Sequence, residues 1–248
     1  MKNIYFLSDA HLGSRAIEHG RTHERRLVNF LDSIKHKAEA IYLLGDMFDF
    51  WYEFKLVVPK GYTRFLGKIS ELTDMGVEVH YFVGNHDMWC GDYLEKECGV
   101  KILFKPQRMT LAGKELFIAH GDNMNIGGQW VLQAMNAMFR SKALKWLFSW
   151  FVHPDWALRF GHWWSGHSRK QHAMHDALTE SITEPLIAYA RDYDREHEVD
   201  GYLFGHMHYA RDYRDEGLHV VLLGAWDCYP SYAVLDKEGN LTLKKLDL

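Results

Sequence analysis

Five short apolar runs in this 248-residue chain each break off in a cluster of residues able to hold a metal. Residues 4–7 lead into Ser8-Asp9-Ala10-His11, residues 41–44 into Gly45-Asp46-Met47-Phe48-Asp49, and residues 77–83 into Gly84-Asn85-His86-Asp87. Residues 116–119 lead into His120-Gly121-Asp122, and residues 202–204 into Gly205-His206-Met207-His208. Short apolar runs bounded by turn residues read as buried strands. Helical patterns lie between the first three: residues 21–35 place Leu27, Phe30, Leu31 and Ile34 on one face, and residues 62–75 are halted by Gly76. Alternating strand and helix predicts a layered α/β sheet. Ligands of open α/β sheets bind beyond the carboxyl ends of the strands, so clusters far apart in the chain converge there. The i, i+2 spacing of Asp9 and His11 keeps both on one side of an extended segment. Glycines before Asp46, Asn85 and His206 permit tight turns that aim each of them inward.

These residue types suit a pair of cations. Hydrolysing a phosphoester requires a nucleophile at neutral pH and neutralisation of phosphoryl charge, and two metals about 3.5–4 Å apart supply both. Cations so close need a shared anion, so one carboxylate must bridge them. Oxygen and imidazole donors without thiolate favour Mn, Fe, Zn or Mg. The 16 histidines are in keeping with such a site, although several are expected to be surface scatter. A formal charge of −4 gives no ground for nucleic-acid binding. The three cysteines are odd in number and form no CxxC pair, so no disulfide framework is expected and a reducing compartment fits. The apolar run at 4–7 is too short for a signal peptide, and no run approaches a membrane span. A cytoplasmic location is the expectation.

In this order, the five clusters resemble the calcineurin-like metallophosphoesterases. That resemblance implies an αββα sandwich, two mixed sheets flanked by helices, and a binuclear metal site with manganese first among the candidates. It also implies residue roles. Asp9, His11 and His208 would hold one metal, Asn85, His120 and His206 the other, and Asp46 would bridge. His86 would sit just outside the metals, protonating the leaving oxygen or binding the phosphate. Asp49 would orient His86, and Asp122 would support the His120 loop.

After Asp122 the composition changes. Residues 127–175 hold six of the nine tryptophans, with six Lys or Arg against the single acid Asp155. Their net charge is +5, so the remainder of a −4 chain carries −9. The chain is therefore read as a metallophosphoesterase core, 1–124 and 176–248, with a helical, aromatic and basic cap at 125–175. The first two clusters, continuing to Gly13 and to Phe50-Trp51, look together with this cap like UDP-2,3-diacylglucosamine hydrolases. Those enzymes split a UDP-linked diacylated sugar into UMP and a lipid sugar phosphate for lipid A synthesis. The likeness departs at the third cluster, where the best-known members carry Arg and this chain has His86. It implies a nucleotide-linked glycolipid substrate and peripheral contact with the inner membrane of a Gram-negative bacterium. Acyl chains want an apolar groove, and Trp with Lys or Arg suits a membrane interface. Ser165, Ser168, Arg169 and Lys170 would reach a phosphate or sugar, or else form a solvated face.

Other readings stay open at this point. Leu144, Leu147, Phe148 and Phe151 follow i, i+3, i+4, i+7 spacing and would also serve as plain helical core. His162, His167, His172 and His175 cluster in the cap, and His19 and His23 lie near the first metal cluster. Residues 178–197 read as one helix, and strands at 209–214, 218–223, 231–236 and 241–246 read as a meander. A soluble-substrate phosphodiesterase or phosphatase of the same fold, and a non-catalytic scaffold, are the alternative functions. Oligomeric state is not encoded in any feature of the sequence.

Overall fold

Side-chain alternation along the strands decides how the layers stack. In a computed structural model, which describes residues 2–124, 138, 141–174, 180–227 and 230–246 (main chain only at 142 and 167–174), the elements fall in two sheets. The chain opens with β1 (Asn3–Leu7), α1 (Gly20–Ile34), β2 (Ala38–Leu43), α2 (Thr63–Asp74), β3 (Glu78–Phe82), α3 (Tyr93–Cys98) and β4 (Lys101–Leu103). It crosses to the second sheet for β5 (Gln107–Leu111) and β6 (Lys114–Ala119). The helices α4 (Lys142–Phe151), α5 (Pro154–Met174) and α6 (Glu184–Asp194) precede β7 (Gly201–Phe204), β8 (Arg211–Asp215) and β9 (Leu218–Leu222). The last two strands, β10 (Ser231–Leu235) and β11 (Leu241–Lys245), return to the first sheet.

Both sheets are mixed. The first runs β11-β10-β1-β2-β3-β4, with β1 to β4 parallel and the β10–β11 hairpin antiparallel on the β1 edge. The second runs β5-β6-β7-β9-β8, parallel at its centre and antiparallel at both edges. Ile4, Phe6, Tyr42 and Phe82 face inward and meet Leu116, Ile118, Leu203 and Val221 between the sheets. Tyr5, Leu7, Ile41, Leu43, Val79 and Tyr81 face outward under the apolar stripes of α1 and α2. Phe117, Tyr202, Phe204, Val220 and Leu222 are covered by Leu186, Ile187 and Ala190 of α6. The result is the αββα sandwich, with every centre strand buried on both faces, which is why those strands read as continuous apolar runs.

Two sequence expectations change. The four C-terminal strands are not one meander. Arg211–Asp215 and Leu218–Leu222 pair in the second sheet, and Ser231–Leu235 and Leu241–Lys245 pair in the first. Local alternation marks each hairpin but carries no information on which sheet receives it. The helix read over 178–197 is shorter: Glu180–Thr183 is a 3-10 turn and the α-helix starts at Glu184 with Pro185 in its first turn. Proline is at home there because the first turn has no use for its missing N–H. Residues 178 and 179 lie outside the described residues.

Candidate metal centre

The five clusters meet at the carboxyl ends of β1, β2, β3, β6 and β7. Asp9, His11, Asp46, His206 and His208 all take positive φ, between 44° and 69°. Asp and His are among the residues that tolerate this left-handed region, and its strain is concentrated at functional sites. Gly45, also at positive φ, makes the turn before Asp46. Gly84 and Gly205 serve by their size instead. A Cβ on Gly84 would overlap Asp46 Oδ1, and one on Gly205 would overlap Ser8 Oγ and lie 2.7 Å from Asp9 Oδ2.

The carboxylates are held so that one oxygen faces the centre. Asp9 Oδ2 accepts from Ser8 Oγ at 2.5 Å and from the His206 N–H at 3.0 Å, while Oδ1 lies 3.3 Å from His208 Nε2. Asp46 Oδ1 accepts from the His86 N–H at 2.9 Å, while Oδ2 lies 3.4 Å from His120 Nε2. His11 Nε2 and His208 Nε2 are 3.0 Å apart, and His120 Nε2 is 3.1 Å from Asn85 Oδ1. A cation with bonds of about 2.0–2.2 Å at tetrahedral to octahedral angles holds its ligand atoms roughly 2.8–3.6 Å apart. All four spacings fall in that window, so the donor set fits cations. The donors group as Asp9, His11 and His208 on one side and Asp46, His120 and His206 on the other, with Asp46 also in reach of His11 and His86. Asp46 thus belongs to the second group and reaches toward His11 of the first.

Electrostatics favour the same arrangement. Burial alone would push Asp46 up, but the charges of His120 and His86 hold it well below the usual carboxylate range. Burial opposes a charged His120, yet Asp46 holds its ring well above the ordinary imidazole value. Asp9 and His208 are a similar pair: burial opposes both charges, and contact with one another moves Asp9 down and His208 up. His206 goes the other way, pushed to about 4 by burial and by the neighbouring His120, so it presents a neutral ring at physiological pH. His120 Nδ1 donates to the Leu44 carbonyl at 2.7 Å, which turns Nε2 to the centre. A backbone carbonyl fixing the far nitrogen is the usual support of a ligating histidine.

His86 lies beside this set, within reach of His11 and Asp46. Its Nε2 lies 3.8 Å from Asp46 Oδ2, and its Nδ1 donates to Asp49 at 2.8 Å. The acceptor is the Asp49 main-chain carbonyl. The Asp49 carboxylate turns to α5, where Oδ1 accepts from Ser165 Oγ at 2.6 Å and Oδ2 from His162 Nδ1 at 3.2 Å. Burial and Arg15 keep His162 below the ordinary imidazole value, so this contact is a hydrogen bond from a neutral ring. Ser165 is thus buried against Asp49 rather than open toward a ligand. Asp122 is half-buried beside His120, accepts from Asn123 Nδ2 at 2.9 Å, and adds to the charge that raises His120. The side chains of Ser168, Arg169, Lys170, His167 and His172, and all of His175, lie outside the described residues. His23 is buried with Nε2 2.6 Å from the Ala10 carbonyl, bracing the first cluster from behind, and His19 is exposed at the start of α1.

Asp87, for which motif spacing suggested no role, braces the site. Its carboxylate accepts from the Gly84 N–H (2.7 Å), the Met47 N–H (3.1 Å) and Tyr81 Oη (2.5 Å), stitching the second and third clusters together. Burial and the charge of Asp46 push it up to about 7. The signal was its place in the third cluster, three residues after a glycine whose N–H it caps.

The cap helices dock unlike ordinary amphipathic helices. On α4, Lys145, Phe148 and Ser149 face the core: Tyr52 Oη donates to the Lys145 carbonyl at 3.0 Å and lies 2.7 Å from Ser149 Oγ, and Phe148 packs 5.3 Å from the Tyr52 ring. Leu144, Trp146, Leu147, Trp150 and Phe151 are exposed, the last at 82%. Among the described side chains of α5, Ala157, Gly161 and Ser165 are buried, while Trp156, Phe160, Trp163 and Trp164 are exposed. Of the stripe read as helical core, only Phe148 is packed. Apart from Phe148, the described aromatics of both helices face out.

The sequence profile described as calcineurin-like phosphoesterase matches residues 2–210. The UDP-2,3-diacylglucosamine hydrolase of Porphyromonas gingivalis is 43% identical over 247 residues, 94% of each chain. Enzymes of the same name from Haemophilus influenzae (strain PittGG) and Edwardsiella ictaluri are each 27% identical, over 97% and 94% of this chain and 98% and 88% of theirs.

Proposed function

Because the chain belongs to the calcineurin-like phosphoesterases, we propose that it hydrolyses the pyrophosphate of UDP-2,3-diacylglucosamine to UMP and 2,3-diacylglucosamine 1-phosphate. Asp9, His11 and His208 would hold one divalent cation, Asn85, His120 and His206 a second, and Asp46 would be shared between them. Manganese is the proposed metal, with Fe, Zn and Mg also compatible with a donor set free of thiolate. When bound, such a pair activates water and neutralises phosphoryl charge. The remaining work falls to the chain's own side chains. With Nδ1 occupied by the Asp49 carbonyl, His86 presents Nε2 to the centre, placed to protonate the leaving oxygen. Asp122 and Asp87 hold the loops that carry His120, Asn85 and His86.

The observation that carries the lipid reading is the outward aromatic face of α4 and α5, standing directly on the loops of the second and third clusters. A helix pair whose large apolar groups face solvent while small ones face the core is built to meet something apolar. Residues 125–175 are the proposed cap, with Ser168, Arg169 and Lys170 as its phosphate or sugar contacts. The same aromatics, with Lys and Arg nearby, support peripheral seating on the cytoplasmic face of a Gram-negative inner membrane. No described helix is long and apolar enough to cross a membrane.

The test is UMP release from UDP-2,3-diacylglucosamine by the purified Mn-loaded chain. Release that depends on metal and on His86 is the expected result. Turnover of soluble diesters with no UMP release would transfer the assignment to the soluble phosphodiesterase reading.

A further inference from the structure

The cap is seated on the loops that fix His86. Trp51 N–H donates to the His86 carbonyl at 3.1 Å, Glu53 N–H to the Trp89 carbonyl at 3.2 Å, and Tyr52 bridges to Trp89. The loop after β2 and the loop after β3 are therefore one unit. Lys145 of α4 grips it by donating Nζ to the Trp89 carbonyl at 3.0 Å, and Gly161 of α5 lies so close to Phe50 that a Cβ there would overlap the Phe50 ring. At the centre of the contact is Asp49, 1% exposed, with its N–H donating to the Leu12 carbonyl at 2.9 Å. Ser165 and His162 hold its carboxylate on one side, and its carbonyl receives His86 Nδ1 on the other.

We propose that α5 is a positioning element for the reaction: Ser165 and His162 hold Asp49, Asp49 holds His86, and proton delivery to the leaving group depends on the cap being docked. This rests on the reading of His86 as the proton donor. A buried carboxylate that loses two hydrogen bonds must rotate or admit water to recover them. When that recovery shifts the residue 49 backbone together with its side chain, the carbonyl that fixes the His86 ring moves as well.

The effect has a kinetic signature that simple loss of structure lacks. A misplaced acid harms a leaving group that needs a proton and spares one that leaves as a stable anion. The assay therefore compares diphenyl phosphate, with its basic phenolate, against bis(p-nitrophenyl) phosphate, using His86→Ala as the reference. In Ser165→Ala, and in Ser165→Ala combined with His162→Ala, kcat for diphenyl phosphate falls by about tenfold or more, part of the 10²–10⁴ that general acid catalysis is worth. KM for the p-nitrophenyl ester, its kcat and the metal content stay close to wild type, and Ser165→Thr restores the phenyl ester rate. Equal losses on both esters, or none on either, overturn the proposal. If His86→Ala itself shows no preference between the esters, the proton-donor reading fails instead. The His86 Nδ1 proton resonance is an independent check in the wild-type fold: it is expected downfield as a hydrogen-bonded signal, and its persistence in Ser165→Ala also overturns the proposal.

Discussion

Gly205 stands where any side chain would enter the hydrogen bond between Ser8 and Asp9. Overpacking of this kind costs about 1–3 kcal/mol, but here the neighbour that must move is a carboxylate of the metal set. Gly205→Ala is therefore expected to lower the affinity for the Asp9 cation and cut turnover by well over tenfold, out of proportion to a modest drop in Tm. Metal content per chain and thermal melts separate the two effects. His206→Ala makes the complementary case: it leaves the backbone N–H on Asp9 and removes only the ring. One cation should be lost with nearly all turnover while the fold remains, and two cations retained would refute the ligand assignment. At this scale the sequence was informative because motif spacing identifies residue types. It said less about reasons. The glycines were read as turns, yet Gly84 and Gly205 are needed for close approach to Asp46 and Asp9. Asp49 was expected to orient His86; the contact between them runs from His86 Nδ1 to the Asp49 carbonyl, a group no side-chain pattern encodes.

Among the elements, those that bear the site were the legible ones, since strands buried on both faces must be apolar throughout. The short β4, the edge strand β5 with Arg108 and Thr110 exposed, and the six-residue α3 had no comparable signature. The α4 stripe was recognisable as a periodicity but not as to which way it faced, because that depends on Tyr52 and Trp89 offering polar and aromatic partners to the opposite side. That orientation yields a prediction: Trp146→Ala with Trp150→Ala should raise KM for the diacylated substrate several-fold and weaken sedimentation with anionic vesicles, with soluble diester hydrolysis little changed. Equal effects on both substrates would argue that the tryptophans are structural. A second prediction concerns α1 against α2. Hydrogen bonds from Lys35 and Lys68 hold Asp32 down to about 2. A carboxylate with a depressed folded value contributes stability above its ordinary value of 3.8 and loses it as pH falls through about 2. Wild type should therefore lead Asp32→Asn in urea midpoint at pH 5, and the lead should close between pH 3.8 and 2. A constant gap would mean that this carboxylate's charge is not what joins the helices.

Seen across the whole molecule, the donors divide by sheet. Asp9, His11, Asp46 and Asn85 follow strands of the first sheet, and His120, His206 and His208 follow strands of the second. Each proposed cation takes donors from both, so the pair fastens the two sheets at the end where the apolar core between them stops. Without cations, the charges of the buried Asp9 and Asp46 are opposed, among the described residues, by neighbouring imidazoles. A ligand at about 1,000 times its Kd stabilises the folded state by about 4.1 kcal/mol. For a chain of this size each kcal/mol moves Tm by roughly 2–4 °C, so stripping one such cation should lower Tm by roughly 8–16 °C. Chelation and re-addition of Mn should move the melt reversibly by that order. Hydrogen exchange should localise the change. Amides at residues 8–12, 45–49, 84–87, 119–122 and 205–208 should lose protection in both sheets together, whereas the distant β8–β9 turn should not respond. Protection lost in one sheet alone would mean that the cations decorate that sheet rather than join the two, and an unchanged Tm would mean that the imidazoles already balance the carboxylates unaided.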